Sequence, residues 1–144
     1  MKQVLSKIDL PDFNIREFTE DYTMMLCALE GVEVREKWIT NSFFMTAMGE
    51  PVIVLSKRKR GLKRLFALLH ELGHYYLHAG KGLNEVYYFN RTNTKEEKEA
   101  DAFALIAMIP LSSMNDYAFL ENHPSKFARK LWKERKRLYF LHGV

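Results

Sequence analysis

The stretch Leu65-Phe-Ala-Leu-Leu69 runs straight into His70-Glu-Leu-Gly-His74, and this junction limits what the chain can fold into more than any other part of it. Leu62 to about His78 has helical spacing, and its middle is apolar on almost every side. A helix of that kind belongs inside a core. Two histidines and a glutamate set into it are costly unless something satisfies them. The fold therefore has to bring polar partners to this helix from elsewhere in the chain.

The spacing of those residues suggests what the partners are for. Residues four apart share a helix face about 6 Å apart along the axis, so His70 and His74 reach one metal ion. Tetrahedral Zn2+ accepts histidine nitrogen and leaves places for a third protein ligand and a water. Glu71 stands beside the first histidine and is the expected general base, taking the water's proton as it attacks a carbonyl. His78 lies about 12 Å along the axis from His70, too far to share its metal, and reads as structural or as a support for the ligands. His123 and His142 are isolated in the tail and read as surface residues. The competing reading is a pair of histidines simply hydrogen-bonded in the core.

The third ligand is expected in Glu96-Glu-Lys-Glu-Ala-Asp101. Thr94 caps this helix, and Glu97 three residues on completes a capping-box pattern. Glu97 and Asp101 are i and i+4 and share a face. A Glu ligand with an Asp one turn later resembles the thermolysin-like arrangement, in which the second acid takes the other N–H of a metal-binding histidine. Glu97 is therefore assigned as ligand and Asp101 as its support, with Glu99, on a different face, as the alternative ligand. Gly73 costs about 1 kcal/mol relative to alanine inside a helix, which points to close approach of another group there. Tyr75, Tyr76, Tyr87 and Tyr88 include candidates for stabilising an oxyanion, with aromatic packing as the competing role.

The rest of the chain supplies a frame. At 144 residues it is long enough for one domain, residues 1–144, with a catalytic core at about 51–110 and closing helices at about 112–140. Asn14 is expected to cap a helix reaching Glu30, where Gly31 stops it. Val32 to Ile39 alternates as a half-buried strand, and Phe43 to Met48 with Pro51 to Ser56 forms a hairpin. A strand is possible at Glu85 to Phe89, and helices at Lys95 to Ile109, Ser112 to Glu121 and Pro124 to Phe140. This is an α+β order. The one cysteine, Cys27, reads as a small buried hydrophobe. With no apolar run near the roughly 18 residues of a membrane span and no secretory signal pattern, a cytoplasmic protein is expected. Net charge is +4, concentrated at residues 57–64 and 126–137. Both clusters read as solvated helix faces, and direct nucleic-acid binding is disfavoured because neither carries a nucleic-acid motif.

Arg64-Leu-Phe-Ala-Leu-Leu-His-Glu-Leu-Gly-His-Tyr-Tyr-Leu-His78, then Glu97-Lys-Glu-Ala-Asp-Ala-Phe-Ala104 and Ile109-Pro110, resembles the ImmA/IrrE family of metallopeptidases. The resemblance covers Pro51 to Pro110 well and the tail helix more loosely. It implies a small zincin-like domain with a mainly antiparallel sheet and one Zn2+ per chain. It supports His70, His74 and Glu97 as ligands and Glu71 as base. Asp101 stands where many members have asparagine, and it still offers a hydrogen-bond acceptor. The resemblance also implies a substrate class: a helix-turn-helix repressor, encoded nearby and cut at one site in the manner of an anti-repressor. The alternative is a zinc-bound module that sequesters its partner without cutting it.

Overall fold

Pro51-Val-Ile-Val-Leu-Ser56 is apolar without alternation, the pattern of a strand covered on both faces. In the computed structural model, which describes residues 1–79, 85–88 and 94–144, that strand is inside the sheet. β3 (Glu50–Ser56) pairs in parallel with β1 (Glu33–Lys37) and antiparallel with β2 (Phe43–Ala47). Ile53 lies opposite both Val34 and Phe44. β4 (Glu85–Tyr88) pairs antiparallel with β2, giving the order β1-β3-β2-β4. Met48 and Gly49 both have positive φ, 54° and 81°, which is the two-residue turn that matches the twist of a hairpin.

α3 (Gly61–His78) packs between β2 and β3 of this sheet and α4 (Lys95–Met108). Leu68, Leu69 and Leu72 of α3, together with Phe103 and Ile106 of α4, are fully buried. Gly73 lies against Phe103 of α4. A Cβ built there would lie 3.1 Å from Cβ of Phe103, so the glycine admits the aromatic side chain as its sequence position suggested. Arg64, in the first turn of α3, binds Glu20 at 2.8 Å and Glu36 at 2.5 Å. It thereby ties α3 to α2 (Glu20–Glu30) and to the strand β1.

Several sequence expectations need correction. α2 begins at Glu20, not after Asn14, because Thr19 is the residue whose side chain accepts the Tyr22 N–H. Asn14 instead has φ 67°, and its Oδ1 accepts from Leu111 N and from Arg135. Leu111–Asn122 winds as a 3₁₀ helix rather than an α-helix. α5 (Lys126–His142) is capped by Ser125, so Pro124 precedes the helix rather than opening it. Arg135 leaves the basic face expected for residues 126–137. It is wholly buried and donates to Ile109 O and Val144 O at 2.5 Å each. His123 is only half-buried, and its Nδ1 accepts from Ser125 N. No single helix among the described residues is long and apolar enough to cross a membrane.

Candidate metal centre

Every fourth residue of α3 from His70 faces α4, and that helix answers with its acidic first turns. Thr94 Oγ1 accepts the Glu97 N–H at 3.1 Å, fixing where α4 starts and hence where Glu97 stands. The Glu97 carboxylate is directed at the histidines. Its Oε2 is 2.7 Å from Nε2 of His70 and its Oε1 is 3.0 Å from Nε2 of His74. One turn on, Asp101 Oδ1 meets Nδ1 of His70 at 2.7 Å. The two acids thus hold opposite nitrogens of one ring, Glu97 in front and Asp101 behind.

Glu99, rotated away from Glu97 about the α4 axis, does not join the Nε2 pair. Its Oε1 is 3.1 Å from Nε2 of His78, and Nδ1 of His78 is 3.0 Å from Nδ1 of His74. His78 therefore stands behind His74, in keeping with the helix-rise argument that placed it out of reach of a metal on His70. The sequence reading missed the contact between His78 and Glu99.

These groups are deeply buried. His70, Glu71, His74 and Glu97 are each at most 2% exposed. Burial by itself would raise the Glu97 pKa, but the hydrogen bonds from His70 and His74 bring it down to about 2. Burial would likewise lower the His70 pKa, yet Asp101 and Glu97 carry it up to about 10. Burial holds His74 below the usual histidine range. The Glu71 carboxyl is pushed well above the carboxylate range by burial, and neither of its oxygens has a hydrogen-bond partner among the described residues. Lys59 is the charged group that sequence reasoning overlooked. Its place in the basic run at residues 57–64 suggests a solvated side chain, but it is half-buried, and its charge acts on Glu71.

Donor atoms of His70, Glu71 and His74 lie within 4.8 Å of one another. Glu97 is not in that trio, yet its carboxylate is the one that meets both Nε2 atoms, and two imidazole nitrogens with one carboxylate are the donor set of a catalytic zinc site with an open position. The residues present fit such an ion. Tyr75 and Tyr76 are drawn into packing, with ring contacts to Phe44 and Phe103. The side chains of Tyr87 and Tyr88 lie outside the described residues.

The sequence profile of the IrrE N-terminal-like domain, a peptidase family, matches residues 8–133. No curated protein and no solved structure matches the chain.

Proposed function

The chain belongs to the IrrE N-terminal-like peptidase family, a metallopeptidase-like domain, and from that premise we propose that it is a zinc-dependent endopeptidase. His70, His74 and Glu97 would hold one Zn2+, and Glu71 would carry the proton. The observation that carries this reading is the convergence of two Nε2 atoms on the Glu97 carboxylate, beside a Glu71 carboxyl that has no hydrogen-bond partner among the described residues.

Zinc, when bound, supplies Lewis acidity that makes a water nucleophilic near neutral pH and polarises a carbonyl. The chain's own residues do the rest. Asp101 accepts Nδ1–H of His70 and so presents Nε2 toward the centre. Glu71 has its carboxylate oxygens free to take a proton from the attacking water and to return it to the leaving amine. Lys59 adds positive charge on the Glu71 side and offsets part of the cost of burying a carboxylate.

We extend the proposal to the substrate: a helix-turn-helix DNA-binding repressor encoded nearby, cut at one site. The family match and the resemblance over Pro51 to Pro110 support it. Co-expression of the chain with such a repressor tests the whole reading. Wild type should cleave the repressor, and Glu71→Gln should abolish cleavage while zinc stays near one per chain. Cleavage surviving Glu71→Gln would overturn the catalytic assignment. A zinc-loaded wild type that binds the repressor without cutting it would favour sequestration instead. Glu97→Ala should lower zinc occupancy far more than Glu99→Ala, and equal losses would sink the ligand assignment.

A further inference from the structure

The two histidines of the centre are supported in different ways. His70 rests directly on the carboxylate of Asp101, whose side chain is 43% exposed. Among the described residues, the group that meets Nδ1 of His74 is another imidazole, and a carboxylate comes one step later, at Glu99. Both members of that second arrangement are buried, His78 at 5% and Glu99 at 7% exposure.

Hydrogen placement follows from ligation, and here the inference rests on the zinc reading above. An imidazole that binds metal through Nε2 keeps its single proton on Nδ1. His74 then donates from Nδ1 to Nδ1 of His78, across 3.0 Å. That leaves the proton of His78 on Nε2, which donates to Oε1 of Glu99 across 3.1 Å. Each group has one role, and no donor faces a donor. The reverse order fails, because a proton on Nδ1 of His78 would point at the proton of His74.

We propose that His78 and Glu99 form a buried relay that positions His74, fixing its tautomer and ring angle so that Nε2 faces the metal. They are positioning residues and do not touch the reacting atoms. The chain places them for this purpose by simple spacing. His78 is one turn after His74 on α3, and Glu99 is in the first turns of α4 on a face that Glu97 does not use. Residues that orient a metal-binding histidine typically contribute about 10- to 100-fold in metal affinity, which sets the size of effect to look for.

The experiment is zinc affinity by chelator competition, with the visible spectrum of the Co2+-substituted protein as a second readout. His78→Phe removes both contacts and should weaken zinc binding by about 10- to 100-fold, with one zinc per chain still reached at saturation. His78→Asn places an acceptor oxygen where Nδ1 stood and should recover much of that loss. Glu99→Gln keeps size and an acceptor but removes charge. It should weaken binding less than Glu99→Ala, and it covers the case in which His78→Phe fails to fold. In all of these the Co2+ bands should shift while remaining those of a four-coordinate site. A purely structural role predicts the opposite pattern, with a lower melting temperature of the metal-free protein and unchanged metal affinity. That pattern, or folded His78→Phe and Glu99→Ala proteins that bind zinc as tightly as wild type, would overturn the relay. A wild type that binds no zinc would overturn the zinc site itself, and a Glu97→Ala protein that still binds it fully would overturn Glu97 as its third ligand.

Discussion

Gly73→Ala sets two opposing effects against each other inside one helix contact. Alanine is favoured over glycine in a helix interior by about 1 kcal/mol, so on local grounds the change should stabilise α3. The space beyond the helix says otherwise. The new Cβ would stand 3.1 Å from Cβ and 3.2 Å from both Cγ and Cδ1 of Phe103, whereas carbon atoms rest at about 3.5–4.0 Å. Relief requires a displacement of about 0.4 Å between α3 and α4.

Phe103 cannot supply it by turning aside. It is fully buried, stacked on Phe13 at 5.1 Å between centroids and flanked by Tyr76 at 5.7 Å. Overpacking of such a site costs about 1–3 kcal/mol, which outweighs the helix gain. The expected net is a loss of about 1 kcal/mol in urea unfolding of the metal-free protein. The same displacement moves the helix that carries Glu97 and Asp101 relative to the one that carries His70 and His74. That displacement stays just inside the about 0.5 Å of misplacement a metal site tolerates, so zinc affinity should change by much less than stability does. A variant that is more stable by the full helix-propensity gain would refute this reasoning.

Two other outcomes follow from features at the edges of the site and of the core. Thr94→Ala removes the acceptor for Glu97 N–H and should cost about 1 kcal/mol in the same unfolding assay. Because Glu97 sits in the turn that this cap holds, zinc affinity should drop too; an unchanged affinity would show that Glu97 is positioned by its histidine contacts alone. Cys27 is buried, and burial pushes its thiol up to about 11. The thiolate is the reactive form, and pH 8 lies about three units below that pKa, so only about one thiol in a thousand is ionised. A thiol reagent should label Cys27 only after denaturant is added, and rapid labelling of the folded protein would contradict the buried placement.

Much of the site was legible because it depends on short spacings. His70, Glu71 and His74 declare themselves within five residues, and Glu97 with Asp101 within five more. Gly73 betrayed a close approach without revealing that Phe103 makes it. The strand at β3 and the cap at Thr94 were readable for the same local reasons. What escaped was whatever depends on separation in sequence. His78 and Glu99 are 21 residues apart, and neither is unusual where it stands. Arg135 looks like any other member of a basic helix until α5 docks and turns it inward onto Ile109 and Val144. Asn14 has a good capping side chain, but its oxygen serves Leu111, 97 residues away. Local rules rank such residues by propensity, and tertiary contacts then reassign them.

The placement of Glu97 also bears on how fast a metal could come and go. His70 and His74 lie in the buried middle of α3, whereas Glu97 belongs to the first turn of α4. Helix ends open far more often than whole proteins unfold. Unwinding that single turn would withdraw one of the three proposed ligands and leave the other two on an intact helix. Metal exchange would then run through local opening, on a clock faster than global unfolding and set by the Thr94 cap. Zinc release measured against an excess of chelator should outpace unfolding of the same sample, and the two rates coinciding would show that the turn opens only with the rest of the fold.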